Sequence, residues 1–141
     1  MKIKLKKLHK DAIIPTYAHF TDACADLYAI EDYFIRPGEL IFIRSGLAVE
    51  IPEGYYIEMY NRSGNAAKKE LVIVSSRIID ADYRGEVFAP IKNIGSKGKS
   101  IKKGDRFAQI ALKSKIHMVF DLVDELNETE RGSGGFGSTG K

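Results

Sequence analysis

Residues 77–86 read Arg77-Ile78-Ile79-Asp80-Ala81-Asp82-Tyr83-Arg84-Gly85-Glu86. Two Ile lead into two carboxylates at i and i+2, and an aromatic, an Arg and a Gly follow. The Ile pair predicts the end of a buried strand, and Asp-x-Asp-Tyr-x-Gly predicts the turn after it. A carboxylate just past a buried strand is held rigidly, as a general base must be. Ordinary turns collect the same residue types, because Asp, Asn and Gly tolerate unusual dihedrals. Taken alone, the stretch fits both a catalytic loop and a plain turn.

Around it the chain reads as many short strands. Residues 2–8 alternate Lys with Ile or Leu, a period of two that predicts a strand with one wet face. Further strands are predicted over 24–30, 40–43, 46–51, 55–60, 71–74, 86–92, 106–112 and 116–119, with another over 120–126. Arg36-Pro37-Gly38-Glu39, Pro52-Glu53-Gly54 and Asn93 to Gly98 punctuate them as turns. One short helix is expected at Ala66 to Glu70, after a start at Ser63-Gly64. Short strands at regular spacing predict an all-β sandwich or barrel. Residues 1–126 form the expected β domain. Residues 127–141 form a Gly-, Ser- and Thr-rich C-terminal tail expected to be flexible.

A chain of 141 residues and 15.7 kDa is one domain with a modest core, which association into an oligomer would enlarge. The net charge of +3 is too small to argue for a nucleic-acid partner, and the lysines at positions 2, 4, 6 and 7 read as a solvated face. Cys24 is the single cysteine, so no intrachain disulfide forms. Met1 is followed by Lys-Ile-Lys-Leu-Lys-Lys rather than a long apolar run, and no 18-residue apolar stretch exists. A soluble cytoplasmic protein with no membrane partner is expected. His9, His19 and His117 have no metal-ligand spacing.

Four other polar stretches stand out: Ala25-Asp26-Leu27, Asn61-Arg62-Ser63-Gly64, Gly104-Asp105-Arg106-Phe107-Ala108-Gln109, and Arg131 to Gly140. With the Asp80 stretch, and in this order, they resemble the five motifs of the trimeric dUTP pyrophosphatase (dUTPase) family over about residues 22–140. The resemblance implies a jelly-roll-like β fold. It also implies a homotrimer with active sites at subunit interfaces, reached by the tail of a neighbouring subunit. The implied activity is Mg²⁺-dependent hydrolysis of dUTP to dUMP and pyrophosphate, which limits uracil in DNA and supplies dUMP for thymidylate synthesis.

Carried over residue by residue, Asp80 matches the catalytic carboxylate that activates water against the α-phosphorus. Tyr83 matches the ring that packs on deoxyribose and leaves no room for a 2′-hydroxyl. Residues 71–80, with Val74 and Ile79, match the hairpin that takes uracil. Arg62, Ser63 and Gly64 match the phosphate-binding motif: a forked donor, a hydroxyl and a close backbone approach. Asp26 matches the Mg²⁺ residue, acting through water, and Gln109 matches the amide near the phosphates. In the tail, Arg131 would pair with the γ-phosphate, Phe136 would stack on uracil, Ser138 and Thr139 would donate to phosphates, and Gly137 would also line the substrate, the tail closing as a lid. The chain departs from the family pattern at Arg77, where Gly is usual, and at Val74, where some members carry Asn. Asn61 replaces the common Pro, and Asn65 replaces an apolar residue.

Each residue also has a plainer reading: Tyr83 as core, Asp26 as an edge-strand carboxylate, Arg62-Ser63-Gly64 as a surface turn. Two further function classes share the resemblance. One is a dCTP deaminase-type relative, against which Asp80 and the complete tail argue. The other is a nucleotide-gated protein that docks a partner.

Overall fold

In a computed structural model, residues 1–74 and 78–135 are described. The chain order is β1 (Lys4–Lys7), β2 (Ala25–Tyr28), β3 (Tyr33–Ile35), β4 (Leu40–Glu50), β5 (Tyr55–Tyr60), α1 (Ser63–Lys69), β6 (Leu71–Ile73), β7 (Ile78–Ile79), β8 (Glu86–Asn93), β9 (Lys99–Ile101) and β10 (Arg106–Ser114). The strands form two four-stranded sheets, β1-β4-β8-β6 and β2-β10-β5-β7, and the pair β3-β9. Every strand pairing is antiparallel. The architecture is the all-β, jelly-roll-like one expected.

The two large sheets close on one core. Leu27, Ile35, Ile43, Leu71, Ile91, Ile101 and Phe107 are almost fully buried there. Alternation sets which side chains enter it: on β5, Ile57 and Met59 point inward, while Tyr56, Glu58 and Tyr60 lie on the other face. Ala12, Ile30 and Leu47 form a second, smaller buried cluster.

Residues 40–43 and 46–51 are not separate strands. Β4 runs unbroken from Leu40 to Glu50, with a register shift against β8 between Arg44 and Ala48. Gly46 sits in that bulge at φ +68, and a Cβ there would come within 2.9 Å of His9 and Ile30 side-chain carbons. A bulge lets a long strand bend without ending, so a turn residue appears inside it. Strands β3 and β9 were not expected from the sequence. Each has three residues, too few for alternation to be legible.

The strands expected over 116–119 and 120–126 do not form. After Ser114 the chain passes the end of β5, where Lys115 N–H donates to Gly54 O at 2.8 Å. Beyond that point no strand forms among the described residues, and Ile116, Val119, Phe120, Leu122 and Leu126 are at least 84% exposed. β1 forms as expected, yet all four of its residues are exposed.

Candidate active site

Asp80 follows β7, whose Ile79 pairs with Ile57 of β5. Tyr83 N–H donates to Asp80 O at 3.2 Å, closing the expected turn over residues 80–83. Arg84 Nη1 folds back to donate to Ala81 O at 2.6 Å and Tyr83 O at 3.0 Å. Asp80 itself is exposed and borders two openings. One is an apolar cavity of about 380 Å³, with Tyr83, Ile78, Ile79, Phe42 and Phe88 in its wall. The other is polar, about 550 Å³, and includes Arg84 and Lys115. An apolar recess with a carboxylate at its mouth suits an organic ring whose reacting group stays outside.

Tyr83 is half-exposed, and its hydroxyl donates to Glu86 O at 3.0 Å. Gly85 makes this possible, because a Cβ there would collide with the Tyr83 hydroxyl. Val74 is exposed, and its N–H already donates to Pro90 O at 3.1 Å. Ile79 is half-buried against the core and Ile78 is exposed toward the cavity, so the Ile pair is less buried than its sequence predicts.

A second constellation lies at the other end of the same sheet. Gln109 on β10 pairs with Asp26 of β2 on one side and Tyr60 of β5 on the other, so all three share one face. Asp26 is 3% exposed. Its Oδ1 accepts from Arg62 Nε at 3.0 Å and its Oδ2 from Arg106 Nη1 at 3.2 Å. A buried carboxylate needs such partners, and here each of its oxygens has its own guanidinium donor. Arg62 also reaches Arg106 O, from Nη1 at 3.3 Å.

The helix expected near residue 66 begins earlier, at Ser63, with Arg62 extended just before it. Ser63 and Gly64 are exposed, and a Cβ on Gly64 would meet nothing within 4 Å. The two Asn departures are structural. Asn61 Oδ1 accepts Ile73 N–H at 2.7 Å, tying the loop to β6. Asn65 is buried, and its Nδ2 donates to Arg106 O at 3.3 Å and Phe107 O at 3.2 Å, fastening α1 to β10. An apolar residue there would leave those carbonyls without this donor.

The structure therefore brings together Asp26, Arg62, Ser63, Gly64 and Gln109 at one end, and Asp80, Tyr83 and Ile79 at the other. It does not join the two groups. Arg131 is exposed, its Nε donating to Gly134 O at 3.0 Å. Arg77, Phe136, Gly137, Ser138 and Thr139 lie outside the described residues. Arg106 and Asn65 had no distinct sequence signal for their place beside Asp26 and Arg62. A charge three residues before Gln109 was the one available hint for Arg106. Among the described residues, no three His, Cys, Asp or Glu side chains are grouped to hold a metal ion. No described helix is long and apolar enough to cross a membrane.

The family model of the dUTPases matches residues 10–140. The chain is 44% identical to the deoxyuridine 5′-triphosphate nucleotidohydrolase of Nautilia profundicola over 142 residues, covering 100% of both chains. It is 42% identical to the enzyme of the same name from Picosynechococcus sp., covering 99% of each. Among solved structures, it is similar to the Staphylococcus bacteriophage 80alpha dUTPase with dUPNHPP, at a TM-score of 0.91 and 31% identity over 99% of each chain. With agreement of this extent in sequence, and the same fold, the chain belongs to the dUTPase family.

Proposed function

We propose that this protein hydrolyses dUTP to dUMP and pyrophosphate, in a homotrimer whose active sites are each built from more than one subunit. The observation that carries this reading is the separation of the two constellations within one chain. Gln109 is level with Tyr60, whereas Asp80 emerges beyond the Ile57–Ile79 pair. The two levels are therefore about four residue steps apart along β5, about 13 Å at the strand rise. A nucleotide held by Arg62 and Gln109 of one copy is completed by Asp80 and Tyr83 of another.

In that site the apolar cavity takes deoxyuridine, with the ring of Tyr83 on the sugar and the backbone about Val74 and Ile79 on the base. Arg62, the Ser63 hydroxyl and the open approach over Gly64 take the phosphates, and Gln109 adds an amide donor. Asp80 accepts a proton from water as the oxygen attacks the α-phosphorus. The bond to the oxygen bridging the α- and β-phosphates breaks, and pyrophosphate leaves. The exposed apolar segment 116–126 carries the tail to a neighbour, where Arg131, Phe136, Gly137 and Ser138 close over the substrate and exclude water.

Asp26 does not fit direct coordination of Mg²⁺, since both its oxygens are engaged by arginines. It fits a water-mediated contact, because each carboxylate oxygen keeps a lone pair. The ion would neutralise charge on the triphosphate that carries it.

The test is pyrophosphate release from dUTP, dCTP, dTTP and UTP, each with Mg²⁺ and with chelator. Release from dUTP alone, lost with chelator, is expected. Binding of dUTP without release from any nucleotide would overturn the enzymatic reading.

A further inference from the structure

Glu86 connects three features of the apolar cavity that the reaction itself does not require of it. Its carboxylate is largely buried and receives three donors from β4. Arg44 Nε donates to Oε1 at 3.2 Å and Oε2 at 3.0 Å, and Arg44 Nη2 to Oε2 at 2.9 Å. Gly46 N–H donates to Oε1 at 2.8 Å, from within the β4 bulge. The main-chain carbonyl of the same residue accepts the Tyr83 hydroxyl at 3.0 Å. One residue thus anchors β8 to β4 through its side chain and holds Tyr83 through its backbone.

The anchor is rigid on its far side as well. Arg44 N–H donates to the Tyr33 hydroxyl at 3.0 Å, and that hydroxyl donates to Glu31 at 2.8 Å. Gly46 is held in the left-handed region at φ +68 and is packed on His9, Ile30 and Ala12. A bidentate guanidinium–carboxylate pair fixes orientation as well as distance. Glu86 O therefore has little freedom, and neither does the ring whose hydroxyl it holds.

We propose that Glu86, clamped by Arg44 and the Gly46 amide, is a positioning residue for Tyr83, and so sets how strongly the site prefers a deoxyribonucleotide over a ribonucleotide. The inference rests on the reading that Tyr83 packs on the sugar. Discrimination against one extra hydroxyl by shape depends on the wall not giving way. A ring displaced by a fraction of an ångström admits the 2′-hydroxyl while still covering a deoxyribose.

The test compares kcat and KM for dUTP and UTP in wild type, Glu86→Ala, Glu86→Gln and Arg44→Met. The ratio of kcat/KM for dUTP over UTP is expected to fall about tenfold in Glu86→Ala and Arg44→Met, mainly through KM. Glu86→Gln, which keeps the acceptor for Gly46 N–H but loses the charge, is expected to fall between them and wild type. The ratio does not depend on the amount of folded enzyme, so a merely structural role would leave it unchanged. Should Glu86→Ala fail to fold, Glu86→Gln and Arg44→Met carry the same comparison. Tyr83→Phe removes the same hydroxyl bond, so combining it with Arg44→Met is expected to add little to either change alone. An unchanged ratio in the folded variants would overturn the positioning role while leaving the dUTPase reading intact. Absence of dUTP turnover in wild type would instead remove the reading beneath it.

Discussion

Gln109 sits in a sheet, and Asp80 emerges from the edge strand β7 toward the opposite end of β5. The first is paired with Tyr60, and the second emerges beyond the Ile57–Ile79 pair. In the proposed trimer the two reach one site from different copies. Arg62→Gln and Asp80→Asn proteins, each inactive alone, are therefore expected to recover about a quarter of wild-type turnover when unfolded together and reassembled at equal amounts. That fraction follows from random assortment, since a site needs a wild-type residue from each of two chains. No recovery in mixed oligomers would place both residues in a single subunit's site.

Asp80→Asn removes the proton acceptor but keeps the size of an exposed side chain. Turnover is expected to fall by about a thousandfold, with dUTP binding and the unfolding temperature near wild type. Isothermal titration and single-turnover kinetics separate the two effects.

Asn65 spans two carbonyls of β10 from a buried position. Asn65→Ala is expected to lower stability by about 2 kcal/mol, because the buried Phe107 carbonyl loses this donor and Arg106 O keeps only Arg62. Phosphate affinity is expected to weaken as well, since α1 then no longer holds Arg62 and Ser63 against β10. Urea unfolding and KM for dUTP measure the two consequences.

Truncation after Asn127 removes the last 14 residues. The β core ends at Ser114, so the truncated protein is expected to keep its circular dichroism and cooperative melting. Turnover is expected to fall by about a hundredfold as the substrate loses its cover. Full activity would end the role given to Arg131 and Phe136.

Acid sensitivity follows from three surface carboxyls. Asp11 is held below its ordinary value first by a hydrogen bond from the Lys103 side chain, and Asp32 first by the Lys103 backbone N–H. Glu50 is held down first by Lys4, at 2.7 Å. Folded values below the unfolded ones mean stability that is present above the unfolded pKa. That stability is lost as pH falls through the folded pKa. The urea midpoint is expected to drop between about pH 5 and pH 3, and Asp32→Asn to flatten part of that drop while lowering the midpoint at pH 7.

The sequence by itself determined the all-β class, the turn at residues 80–83 and the family. Period-two alternation, Gly/Pro punctuation and chemically specific stretches are local properties, and they survive without knowledge of neighbours. It also placed a helix after Ser63-Gly64, though three residues late. Only the tertiary structure decided that residues 40–50 are one bulged strand, because the bulge is defined by its register against β8. The same holds for the burial of Asp26 between Arg62 and Arg106, whose sequence separations of 36 and 80 residues carry no local signal. Asn61 and Asn65 read as departures in the chain, and their purpose appears only where Ile73, Arg106 and Phe107 come alongside. Residues 116–126 show the converse. Their apolar content reads as strand, but a strand exists only where another backbone pairs with it, and among the described residues none does.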